Sequence, residues 1–170
     1  MGIFADRFWL LVFFLAAPAV RVQAQDTSAA PVLQGELTAI RAIVSRTDSA
    51  VGAGVLRERD TSAACNNGAV RFDLAVHTDA AGVVRKIRLK GGTGDSAHDI
   101  SYYYDTRGRL RFIVAKRGAV NGTQEEEGDY YSDSGAVLHR QVRRLAGPGW
   151  PWGAPDAITD PAGWLANPCQ

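Results

Sequence analysis

From residue 70 to about residue 144, apolar and polar side chains alternate. Alternation at period two predicts β-strands with one face buried. Val70, Phe72, Leu74 and Val76 alternate with Arg71, Asp73, Ala75 and His77. On the return, Ile87 and Leu89 oppose Lys86, Arg88 and Lys90. Further on, Tyr102, Tyr103 and Tyr104 lead into Asp105-Thr106-Arg107-Gly108, where Asp can bond nearby backbone and Gly supplies positive φ. Beyond that turn Leu110, Phe112 and Val114 share one face, with Arg109 and Arg111 on the other. This is a β-hairpin pattern. It has echoes at His77–Val84 and Tyr130–Val137. The turn glycines Gly82, Gly108 and Gly135 lie 26 and 27 residues apart. That spacing fits an internal repeat, and equally successive hairpins of one meander.

Upstream the period changes. Leu33, Leu37, Ile40 and Val44 form the stripe of an amphipathic helix, predicted over 32–47. Asp48-Ser49 and Gly52-Ala53-Gly54 are read as its end. Val55–Asp60 is a polar edge-strand candidate, and Thr61–Gly68 reads as a loop holding Cys65. After Leu145 comes Gly147-Pro148-Gly149-Trp150-Pro151-Trp152-Gly153-Ala154-Pro155, which proline and glycine keep out of regular structure. Trp150, Trp152 and Trp164 are costly to leave in water, so this tail is expected to pack onto the domain. Asp160-Pro161 suits the start of one helical turn. The predicted fold is α+β: an N-terminal helix packed on a six- or seven-stranded antiparallel β-meander, with the helix covering the alternating apolar face. The domain runs over 32–146 and the irregular Trp/Pro-rich tail over 147–170.

The first residues carry an address. Arg7 precedes an apolar run from Phe8 to Ala17, Pro18 breaks it, and Val22-Gln23-Ala24 offers small residues to a signal peptidase. Residues 1–24 read as a secretory signal peptide cut after Ala24, and 25–31 as a flexible new start. Localisation is then periplasmic or secreted, with no membrane anchor remaining. The chain has 19 basic and 18 acidic residues; removing Arg7, Arg21 and Asp6 leaves 17 of each. A balanced charge implies no general attraction to nucleic acid. Two cysteines in an exported chain predict one disulfide, Cys65–Cys169.

Tyr102–Val114 carries the pattern Tyr-Tyr-x-Asp-x-x-Gly-x-Leu-x-Phe; Val83–Ile87 matches in part and Tyr130–Val137 is a weaker copy. With the preceding helix, this resembles a loose set of small exported bacterial proteins of unknown function. The resemblance implies a helix-plus-meander fold and an envelope location, and assigns no catalytic residue.

Signals for chemistry are few. His77, His98 and His139 lack the spacing of a helical metal pair. Gly91-Gly92-Thr93-Gly94 lacks the ending of a P-loop and reads as a strand connection. Glu125-Glu126-Glu127 with Asp129 lacks an EF-hand pattern and reads as a solvated strand. The best binding candidates are aromatic and basic: Tyr103, Arg109, Arg111, Tyr131, Trp150 and Trp152, residue types that dominate binding hot spots. The expected function is that of an exported, monomeric, non-enzymatic binding or interaction module without cofactor. It would use the exposed sheet face or an edge strand to hold a protein or carbohydrate of the cell envelope. The alternatives are a small hydrolase or metal-dependent enzyme using His77 or His139 with nearby acids, and a structural envelope protein. Export from a bacterial host should yield the mass of Gln25–Gln170, with thiols blocked only after reduction; an uncleaved chain with free thiols would overturn the address and the disulfide together.

Overall fold

A computed structural model describes residues 29–169. The predicted signal peptide, its cut and residues 25–28 lie outside them. Helix α1 (Ala29–Gly52) exceeds the predicted span at both ends. Pro31 sits in its first turn, where a missing N–H costs nothing. Asp48 and Ser49 do not end it; Gly54 does, at φ +66, with the Gly54 and Val55 amides closing onto Val51 and Ala50 carbonyls.

Seven strands follow as an antiparallel meander in sequence order: β1 (Arg57–Cys65), β2 (Val70–Thr78), β3 (Val84–Gly92), β4 (Ser96–Tyr104), β5 (Leu110–Ala119), β6 (Gln124–Tyr131) and β7 (Val137–Ala146). Residues 61–65, expected in a loop, are strand. They pair with β2 from Thr61↔Leu74 to Cys65↔Val70. A polar edge strand carries no alternation, so only its partner reveals it. Gly91 and Gly92 are likewise strand rather than connection. A Cβ on Gly91 would run into the Arg71 carbonyl, and one on Gly92 into that of Ser96.

The hairpins β2–β3, β4–β5 and β6–β7 are built alike. In each turn a Gly amide returns to the carbonyl three residues back: Gly82 to Asp79, Gly108 to Asp105 and Gly135 to Ser132. These glycines hold φ of +82, +76 and +85. The Asp79 carboxylate accepts from the Ala81 and Val83 amides, and that of Asp105 from the Arg107 and Arg109 amides. The hydroxyl of Ser132 accepts from Ala136. Next to each turn the register slips, pairing Thr78 with Val84, Tyr104 with Leu110 and Tyr131 with Val137. Arg85, Arg111 and Leu138 are thereby bulged out of register.

The bulges decide the faces, because an extra residue resets the parity of a strand. Leu110 lies on one face with Ile113, Tyr102, Tyr104, Leu74, Val76, Ile87 and Leu89. Phe112 lies on the other, with Tyr130, Leu37 and Ile40. The predicted grouping of Leu110 with Phe112 is therefore corrected. So is the predicted cover: α1 packs on the face of Phe112 and Tyr130, while the main alternating apolar face is covered by the tail.

The tail is a strap. It leaves β7 at Gly147, passes the β5–β6 turn, where the Gly149 amide donates to Thr123 and Asn121 donates to the Gly149 carbonyl, and crosses the sheet. Ile158 is buried in the main core, and its carbonyl accepts from the Tyr104 hydroxyl at 3.1 Å. Helix α2 (Pro161–Ala166), capped by Asp160 onto the Gly163 amide, sets Trp164 and Leu165 against the same core. The Cys65–Cys169 disulfide then ties the strap to β1, as predicted from the sequence. The bond spans 104 residues, for which chain entropy gives roughly 4 kcal/mol. Cys169→Ser should lower unfolding stability by about 2–4 kcal/mol, read as a drop in the urea midpoint.

Candidate functional site

The predicted binding residues do not form one surface. Tyr103 and Tyr131 are both only 4% exposed, on opposite faces. The Tyr103 hydroxyl donates to Asp48 of α1 at 3.1 Å, and Lys86 Nζ reaches the same carboxylate at 2.7 Å while standing 4.8 Å over the Tyr103 ring. Burial alone would lower the Lys86 pKa, but its bonds to Asp48 and Tyr103 outweigh this and raise it. Tyr103 thus fastens the helix to the sheet.

Arg111 is buried at its bulge, with Nε donating to the Tyr131 carbonyl at 3.1 Å and a second nitrogen on Asp133. Arg109 pairs with Asp105 at 2.7 Å and Asp133 at 3.1 Å. Both are turn fasteners. Trp150 and Trp152 stand 6.4 Å apart, half-buried in the strap.

His77 is buried on β2, across from Glu58 and Lys86. His139 stacks 5.8 Å from Tyr130 on β7. Five strand spacings, roughly 24 Å, separate their strands, so they do not converge. Among the described residues no three His, Cys, Asp or Glu side chains gather as a metal-holding group. No described helix is long and apolar enough to cross a membrane.

The open half of the helix-side face carries Arg88–Asp99, Lys116–Glu126 and Arg143–Glu126 pairs. On the strap side, β6 and β7 build a deeper network. Asp129 is fully buried and takes two bonds of 2.7 Å from Arg140. Arg140 also reaches Glu127 at 3.2 Å, and Glu127 accepts Arg117 at 3.0 Å. Burial, opposed by the neighbouring arginines, pushes the Glu127 carboxyl up.

Arg117 leads into the concave site that the strap makes with the sheet, a cavity of about 320 Å³. Its apolar lining joins four aromatic residues, Phe72 on β2, Tyr102 on β4, and Trp152 and Trp164 of the strap, with Leu89, Ile100 and Ile158. Polar groups come from His98, Arg117 and Asp156. Burial, then the Arg117 charge, lower the His98 pKa and keep its imidazole neutral near pH 7. Burial and the Asp156 charge push the Tyr102 phenol up. The Trp152 indole nitrogen is buried without a hydrogen-bond partner.

Of the predicted residues, only Trp152 lies in this cavity. Sequence reasoning missed His98, Arg117 and Tyr102. One signal was present: Arg117 shares strand parity with buried Ile113 and Ala115, an apolar row ending in a cation. Comparison of the chain with protein families, curated proteins and solved structures finds no match.

His77 and His98 both have pKa values lowered mainly by burial. An unfolded chain takes up protons on them near pH 6.5 while the folded chain resists. The stability this costs is absent above that pH and grows as pH falls below it. The melting temperature should therefore drop between pH 7 and pH 5, and His98→Gln should flatten part of the slope; an unchanged slope in His77→Gln and His98→Gln together would refute the assignment. Arg140→Met strands the buried Asp129 charge and should cost about 3–5 kcal/mol, read by urea unfolding.

Proposed function

We propose that this protein is an exported, non-enzymatic binding module that takes a small ligand between its C-terminal strap and its sheet. The observation that carries this reading is the cavity between strap and sheet, whose apolar wall includes Phe72, Tyr102, Trp152 and Trp164 and which His98, Arg117 and Asp156 also line. Small-molecule sites commonly have this make-up, apolar and aromatic walls with a few converging polar groups.

The other surfaces support binding less well. Charges on the open sheet face are matched by neighbours, and such exposed pairs hold little energy to offer a partner. The β7 edge exposes Val137, Val142 and Leu145 but interleaves Arg140, Arg143 and Arg144, as edges do when they keep other strands away. The alternative of an enzyme built on His77 or His139 has one ring buried and the other stacked on Tyr130.

A fragment library titrated against ¹⁵N-labelled protein tests the site. Hits should move the indole N–H signals of Trp152 and Trp164, and Ala154→Trp, placed on the cavity wall, should abolish those shifts. Hits that move only β7 or open-face signals would replace the cavity with an edge or face site.

A further inference from the structure

We infer that the ligand class of the strap cavity is a neutral carbohydrate, one or two pyranose rings in size; this rests on the cavity being the binding site. Size is the first constraint. At ~30 Å³ per water, about 320 Å³ is room for roughly ten water molecules. That suits one or two sugar rings.

Wall chemistry is the second. Phe72, Trp152 and Trp164, each half-buried, line the wall with flat rings, and a pyranose has C–H faces that pack on flat rings while its edges carry hydroxyls. Aromatic side chains give large contact area with few rotatable bonds, so little entropy is lost on binding.

Charge is the third and decides between ligand classes. Arg117 is the cation of the site, but one of its nitrogens already meets Glu127 at 3.0 Å and Glu125 at 3.8 Å. Asp156 adds an anion on the opposite wall. A ligand carboxylate would face Asp156 without an unpaired cation to hold it. A ligand ammonium would gain only Asp156, whose exposed side chain makes a weak pair. Neither net charge gains much. What the site offers instead is a mixture of donors and acceptors. Arg117 retains donors beyond its paired nitrogen, Asp156 accepts, and a neutral His98 ring and the Tyr102 hydroxyl do both. Hydroxyls both donate and accept, so a polyol can answer each of these groups, whereas an aromatic acid answers only the donors.

The strap adds a consequence. Pro168, beside Cys169, also lines the cavity, so one wall is held in place by the disulfide. Reduction should therefore weaken binding without altering any lining side chain.

The test titrates intact, oxidised protein with maltose, cellobiose and N,N′-diacetylchitobiose, and with glucuronate, glucosamine, choline and indole-3-acetate, by calorimetry and tryptophan fluorescence. At least one neutral saccharide should bind, and the four charged probes should bind at least tenfold more weakly. Trp152→Phe, which replaces the indole of the wall with a smaller ring, should weaken that saccharide about tenfold. Tyr102→Phe is the second variant, should Trp152→Phe fail to match wild-type melting. Binding of a charged probe in preference, abolished by Ala154→Trp, overturns the carbohydrate assignment and leaves the cavity standing. Saccharide binding that survives Ala154→Trp and Trp152→Phe places the sugar elsewhere and overturns both. No binding by any neutral probe overturns the carbohydrate assignment, and the fragment titration then judges the cavity alone.

Discussion

A seven-stranded open sheet has two faces, and this protein covers them with unlike materials. Helix α1, 24 residues and roughly 36 Å long, covers part of one face and supplies its own backbone hydrogen bonds. The other face, with most of the core, is covered by a strap of little regular structure. Such a strap is held by what it buries, by hydrogen bonds to the sheet and by what ties its end. Ile158, Trp164 and Leu165 do the first, Gly149 and Ile158 the second, and Cys169 the third. A strap anchored at separate points spans the sheet between them rather than following it. The cavity lies along that span, under Trp152 to Asp156.

The strands beneath are ordered by a repeated device. In the first two hairpins the bulged residue is an arginine whose Nε reaches the last residue of the next outgoing strand: Arg85 to the Tyr104 carbonyl at 3.4 Å, Arg111 to that of Tyr131 at 3.1 Å. Each also approaches the Asp that opens its own turn, at 3.6 Å for Arg85–Asp79 and 3.9 Å for Arg111–Asp105. In the third hairpin the equivalent residue is Leu138, which packs beside α1. The series thus ends where no further strand follows. A turn aspartate, a glycine and a bulged arginine form a unit that fixes register within one hairpin and between neighbours.

Electrostatics complement this order. Acidic β6 lies in register with basic β7, with Glu125↔Arg144, Glu126↔Arg143 and Asp129↔Arg140. Most such pairs are exposed and contribute little singly. Asp129 differs because it is fully buried, so its arginine is a condition of folding rather than an ornament of the surface. The same network neutralises Arg117 and thereby sets the charge balance of the cavity.

Local rules sufficed for the alternating strands between Val70 and Arg144, the turns at Gly82, Gly108 and Gly135, the helical stripe from Leu33 to Val44, and the pairing of Cys65 with Cys169. Each depends on residues near in sequence, or on there being two cysteines to join. Tertiary structure decided the rest. Alternation reports which residues share a face within one strand, but a bulge resets that parity, so Leu110 and Phe112 part and Arg111 goes inside. Nor does alternation tell which cover takes which face, since α1 and the strap both offer apolar side chains. The polar run Thr61–Cys65 became strand only through its partner β2. The cavity was illegible for the same reason: Phe72, His98, Arg117 and Trp152 are distant in sequence, and only the folding of the strap back over the sheet brings them together.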